Sequence, residues 1–145
     1  MDLKEILRGV MLFSSLTDEE LEQVSAICSE RSLRRGDVLA EQGTPGEELF
    51  IVTEGFMEVS ISSGDESHTV VNLGQGQIIG EMSLVDQGPR SATVRAISDP
   101  AVVQVIRRDA FEALCEQNTR IGYIVLKDIA ADMSFKLRHR NLMIG

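Results

Sequence analysis

Leu49-Phe50-Ile51-Val52-Thr53-Glu54-Gly55-Phe56-Met57-Glu58-Val59-Ser60-Ile61-Ser62-Ser63-Gly64-Asp65-Glu66 holds two β-prone runs and two glycine-bearing breaks. Leu49–Val52 is apolar and rich in strand formers. In the second run Phe56, Glu58, Ser60 and Ser62 alternate with Met57, Val59 and Ile61. That alternation describes a strand with two different faces. Thr53-Glu54-Gly55 and Ser63-Gly64-Asp65-Glu66 read as hairpin connections.

The same texture extends outward. Nine of the 12 glycines lie between Gly36 and Gly88, where they punctuate further β-rich runs. These are Val38–Glu41, Thr69–Leu73 and Gln77–Ile79, then Ala92–Ala96 and Ala101–Arg107, the last two separated by Ser98-Asp99-Pro100. These short strands, with few helices between them, predict an eight-stranded antiparallel β-roll of jelly-roll type over about residues 29–107.

Helical periodicity flanks this region. Residues 2–13 carry Leu3, Ile6, Leu7, Val10 and Met11 at helical spacing. Thr17 followed three residues later by Glu20 is a capping box, and the helix it opens places Leu21, Val24 and Ile27 or Cys28 inward. That helix fades into the charged stretch Ser29–Arg35. Beyond the roll, Asp109 is the expected cap of a helix with Phe111 and Leu114 inward. Asn118-Thr119 is the expected break before a long helix from Arg120 to about Leu142. Leu126, Ile129, Met133 and Leu137 form its expected buried stripe. The expected class is mainly β with flanking helices (α+β): one domain over 1–145, with N-terminal helices and two C-terminal helices at about 108–142.

Composition narrows the functions. An apolar fraction of 43% supports a core, but aromatics are only 4% with no Trp, so Val, Ile, Leu and Met must fill it. The net charge of −9 repels nucleic acid backbones, so no direct nucleic-acid contact is expected. Cys28 and Cys115 lack metal-type spacing and suggest a reduced, cytoplasmic protein. No signal peptide and no membrane span are read. His68 and His139 stand on different elements without ligand spacing, so no metal is expected, and a cupin-like enzyme is the weaker alternative. Gly74-Gln75-Gly76 lacks the Lys-Ser/Thr of a P-loop.

Unusual chemistry concentrates in Gly80-Glu81-Met82-Ser83-Leu84-Val85-Asp86-Gln87-Gly88-Pro89-Arg90-Ser91-Ala92-Thr93-Val94. A glycine opens a short helix, a carboxylate follows, and a Gly-Pro turn delivers an arginine and a hydroxyl. Helix-start N–H groups and a guanidinium fork together suit a phosphate. Taken singly, Glu81 is equally explained by the helix dipole, and Arg90 is better explained as a solvated surface arginine.

Gly80-Glu81-Met82-Ser83-Leu84 with Pro89-Arg90-Ser91-Ala92-Thr93-Val94 resembles the phosphate-binding cassette of the cyclic nucleotide-binding domain family. That family includes catabolite-activator-like regulators, cyclic-nucleotide-dependent kinases and gated channels. Gly43, Gly46 and Gly55 around Leu49–Val52 match its roll, and the resemblance runs from about Leu12 to Arg140. It implies a non-enzymatic regulatory module for cyclic AMP or cyclic GMP, without other cofactor. Gly80 would approach the sugar, Glu81 would accept from the ribose 2′-hydroxyl, and the N–H groups of Met82 and Ser83 would face the phosphate. Arg90 would pair with the phosphate, and Ser91 and Ala92 would complete the contacts. Val70, Val71 and Ile79 are candidate walls for the base. Ser91 in place of Thr favours cyclic AMP. With the chain ending at Gly145, output is expected to pass through the last helix to an effector protein, a second copy or a further domain. The alternative is a roll that kept the fold as an interaction surface without nucleotide.

Overall fold

The computed structural model describes the backbone of residues 2–144 and the side chains of residues 2–69 and 71–139. Its strands are β1 (Cys28–Leu33), β2 (Val38–Ala40), β3 (Glu48–Glu54), β4 (Met57–Ser63), β5 (Glu66–Leu73), β6 (Ile78–Ile79), β7 (Thr93–Ala96) and β8 (Ala101–Arg107). They form two antiparallel four-stranded sheets, ordered β1-β8-β3-β6 and β2-β7-β4-β5. Helices α1 (Leu3–Arg8) and α2 (Asp18–Ala26) precede the roll, and α3 (Arg108–Gln117) and α4 (Thr119–Ile144) follow it. The expected antiparallel roll with flanking helices is the observed fold.

β3 joins the two halves of the core. Leu49 and Ile51 face a cluster shared with the helices, while Phe50 and Val52 face the cluster between the sheets. All four are buried, which is why this strand reads as a continuous apolar run rather than an alternating one. Between the sheets Phe50 and Val52 meet Met57, Val94, Val103 and Val105. Aliphatic side chains do dominate, as the shortage of aromatics requires.

The structure departs from the sequence expectations at identifiable places. Ser63-Gly64-Asp65-Glu66 is a hairpin, with Ser63 paired to Glu66 and Gly64 at φ 65°. Thr53-Glu54-Gly55 is not, because β3 and β4 lie in different sheets and this turn crosses between them. A Cβ on Gly55 would lie 2.5 Å from the Pro100 carbonyl oxygen. The β4–β5 ladder carries a bulge: Val59 pairs with Val71 but Ser60 pairs with Thr69, so β5 holds the extra residue. Ser60 is buried and Ile61 exposed, against the strict alternation. β1 occupies the charged stretch, which has no alternation to announce it.

The N-terminal segment is not one helix. α1 stops at Gly9 and a 3₁₀ turn, Met11–Phe13, sends Leu12 and Phe13 into the core. The capping box of α2 is formed: Glu20 N–H donates to Thr17 Oγ1 at 3.2 Å and Thr17 N–H to Glu20 Oε1 at 2.9 Å. Arg120 on α4 also binds the Glu20 carboxylate and holds it below its ordinary pKa, so the cap ties α2 to α4. α3 starts at Arg108, two residues before an Asp109 cap would allow. Arg107 holds the cap position, and Asp109 forks with its guanidinium at 3.0 Å instead of capping.

Both cysteines are free. Burial pushes the Cys28 thiol up to about 12. At pH 8 only about one part in 10⁴ is then thiolate, the reactive form. Cys28 in the folded protein should resist a thiol-titrating reagent that labels it readily after denaturation; rapid labelling in the native state would contradict this burial.

Candidate functional site

β6 delivers the chain to Gly80, which sits at φ +80° and opens the 3₁₀ turn Glu81–Leu84. Only glycine adopts that backbone without strain. There is no room for a side chain either: a Cβ would lie 2.3 Å from Arg90 Nη1 and 3.0 Å from the Glu48 carbonyl oxygen. The turn returns through Gly88, whose N–H donates to Asp86 Oδ1 at 3.0 Å. Pro89 then pairs with Pro45. Arg90 is clasped from the β2–β3 loop: its N–H donates to the Thr44 carbonyl at 2.7 Å and its carbonyl accepts from Gly43 at 2.8 Å. The chain enters β7 immediately afterwards.

The Arg90 side chain turns inward. Nη1 donates to Ser83 Oγ at 3.1 Å and Nη2 to the Glu48 carbonyl at 2.9 Å. The guanidinium lies 5.2 Å from the centre of the Phe50 ring. Burial lowers its pKa, with the Glu48 carboxylate opposing. Among the described residues no carboxylate comes within ion-pair distance of it. This is a half-buried cation satisfied only by neutral acceptors, an arrangement that favours an incoming anion.

A cavity of about 440 Å³ opens beside it. One side is apolar, formed by Ala40, Val59, Leu73, Ile78, Ile79 and Val94. The other is the cassette, Gly80–Ser83 and Asp86 with Gly88–Ala92. Every cassette residue picked from the sequence lies on this wall. Among the described residues the N–H groups of Ser91 and Ala92 have no partner. The Ser83 N–H is different: it donates to the Gly80 carbonyl at 2.9 Å, so the tight turn uses the group that was expected to face a phosphate. Ile79 lines the apolar side. Val71 is exposed and outside the lining, and the Val70 side chain lies outside the described residues. Ala40, Val59, Leu73, Ile78 and Val94 were not anticipated. They come from five strands, and no local motif marks residues that converge only across two sheets.

Glu81 is partly exposed, and its Oε1 lies 3.5 Å from Lys136 Nζ on α4. Lys136 is also 2.9 Å from Asp132, and the two carboxylates, Asp132 foremost, raise its pKa. α4 thus reaches the rim of the cassette.

The model of the cyclic nucleotide-binding domain matches residues 30–118. The chain belongs to this family. This cyclic nucleotide-binding domain is 30% identical over 137 residues to the cyclic AMP receptor protein of Thermus thermophilus, covering 94% of this chain and 61% of that protein. Its fold matches the N-terminal domain of a transcriptional regulator from Streptomyces coelicolor A3(2), with a TM-score of 0.83 and 30% identity over 90% of this chain and 94% of the other. It also matches the regulatory domain of Toxoplasma gondii PKA, crystallised with cAMP, with a TM-score of 0.72 and 33% identity over 77% of this chain and 42% of the other. Among the described residues no helix is long and apolar enough to cross a membrane, and no cluster of His, Cys, Asp and Glu suits a metal.

Proposed function

We propose that this chain is a cytoplasmic regulatory module that binds a cyclic nucleotide, cyclic AMP in preference to cyclic GMP, and passes the event on through α4 without catalysing a reaction. The observation that carries this is Arg90. A guanidinium drawn halfway into the protein, facing a cavity and holding only neutral acceptors, calls for an anionic ligand. A cyclic phosphate supplies one charge, and the N–H groups of Met82, Ser91 and Ala92 supply neutral donors around it. Glu81 beside an anion is repulsive unless a donor stands between, and a ribose 2′-hydroxyl is such a donor. The apolar side of the cavity suits a base.

The relay runs through α4 because Lys136 already touches Glu81. A ligand that engages Glu81 changes the partner of Lys136 and shifts the balance between positions of α4, provided one position binds it better. For the recipient we favour a second copy of the chain. Tyr123, Leu126 and Ala130 follow three-and-four spacing along α4, and Leu137 continues the same side two turns on. Tyr123, Leu126 and Leu137 are exposed, forming an apolar seam suited to another helix.

Calorimetric titration with cyclic AMP, cyclic GMP and 2′-deoxy cyclic AMP tests the reading. Cyclic AMP should bind tightest, and Glu81→Ala should weaken cyclic AMP while barely changing the deoxy analogue. Absence of binding at millimolar ligand, with no rise in melting temperature, would favour a roll that serves only as an interaction surface.

A further inference from the structure

We propose that Arg31, on β1, is a positioning residue for ligand binding: it holds the Glu48 carboxylate away from Arg90 and so keeps Arg90 open to an anion. This rests on the nucleotide reading above and adds to it a control from outside the cassette. β1 and β3 flank β8, and Arg31 spans that strand to reach Glu48. Its Nη2 donates to Glu48 Oε2 at 3.2 Å. The backbone carbonyl of the same residue accepts from Arg90 Nη2 at 2.9 Å. Glu48 thus stands between two guanidiniums. It gives its carboxylate to one and only a neutral carbonyl to the other.

Phe50 brings the two cations together. It follows Glu48 by two residues on the same face of β3 and is 1% exposed. The Arg31 guanidinium lies 5.6 Å from the centre of its ring, and the Arg90 guanidinium 5.2 Å. One buried ring therefore seats both cations beside one carboxylate.

The Glu48 side chain is only 27% exposed. A carboxylate so far withdrawn from water needs a cation, and removing its partner leaves an uncompensated charge. Arg90 and Arg107 also feel that charge. Arg107 is exposed and already forked with Asp109. Arg90 is held only by neutral acceptors, so without Arg31 it is the partner left for Glu48. A Glu48–Arg90 pair would put an internal anion on the guanidinium that the cyclic phosphate needs, and the ligand would have to displace it.

The test is calorimetry with cyclic AMP on the full chain as Arg31→Ala, Arg31→Lys, Glu48→Gln and the double variant Arg31→Ala/Glu48→Gln. Arg31→Ala should bind roughly tenfold more weakly, the scale of one charge-assisted contact. Glu48→Gln should bind at least as tightly as the native protein. The double variant should return to within about twofold of Glu48→Gln, because the competing carboxylate is gone. Arg31→Lys keeps a cation for Glu48 and should lose less than Arg31→Ala. Unchanged affinity in Arg31→Ala would overturn the proposal. So would a double variant as weak as Arg31→Ala, which is the mark of a packing role alone. NMR of the ligand-free protein adds an independent readout. The Arg90 Nε–H resonance should move in Arg31→Ala and return in the double variant, and a resonance that Arg31→Ala leaves in place would also overturn the proposal. If the native protein binds no cyclic AMP, the nucleotide reading fails, while this resonance still decides whether Arg31 holds Glu48 off Arg90.

Discussion

Arg90→Ala is expected to weaken cyclic AMP binding by about 1.5–3 kcal/mol, or roughly 10- to 150-fold. The size follows from what the native side chain lacks. Its partners are a hydroxyl and a backbone carbonyl, with the face of Phe50 alongside. None of these neutralises a charge, and burial already works against the charged form. The bound anion therefore makes the charge-assisted contact that the free protein is without. The same reasoning gives a second, opposite expectation. Removing a half-buried, unneutralised cation should cost the ligand-free fold little, so the variant should melt close to the native protein. Arg90→Lys should fall between, since an ammonium lacks the planar fork and cannot reach Ser83 and Glu48 together. Calorimetry and thermal unfolding on the three proteins decide the matter. Native-like affinity in Arg90→Ala would remove Arg90 from the site, and with it the main support for an anionic ligand.

The parts of this fold that were legible in the sequence are those governed by local chemistry. The Thr17–Glu20 box, the Ser63–Glu66 hairpin and the turn at Gly80 each depend on residues a few positions apart, and each is present. The cassette was legible for the same reason, since its glycine, carboxylate, arginine and hydroxyl are contiguous. What was missed depends on distant parts of the chain. The apolar wall of the cavity draws on β2, β4, β5, β6 and β7, and no spacing rule links those positions. The bulge opposite Val59–Ser60 exists because β5 contributes an extra residue, and β4 alone could not reveal it. The Ser83 N–H could not be assigned either, because a 3₁₀ turn and an α-helical turn use different early N–H groups. In the last helix the apolar spacing fits two faces, and only packing tells them apart.

Those two faces carry the second large effect. The sequence stripe joined Leu126, Ile129, Met133 and Leu137, but the buried seam is Ile121, Val125 and Ile129, with Met133 partly buried at its end. Leu126 and Leu137 are 42% and 59% exposed on the other side. Ile129 is 1% exposed and belongs to the cluster that holds Leu12, Phe13 and Leu21. Truncating it removes several methyl groups from a site whose walls come from three separate segments and cannot all close in. Ile129→Ala should therefore destabilise the protein by about 2–4 kcal/mol and lower the melting temperature by roughly 5–15 °C. Leu126→Ala, one turn away on the exposed face, should change the stability of the single chain by less than about 0.5 kcal/mol. If the exposed seam meets a second copy, Leu126→Ala and Leu137→Ala should instead shift the oligomeric state measured by sedimentation, an effect that Ile129→Ala does not produce directly. Equal destabilisation by Ile129→Ala and Leu126→Ala in the monomer would mean that α4 packs through the stripe read from the sequence. It would also remove the free face through which α4 is proposed to signal.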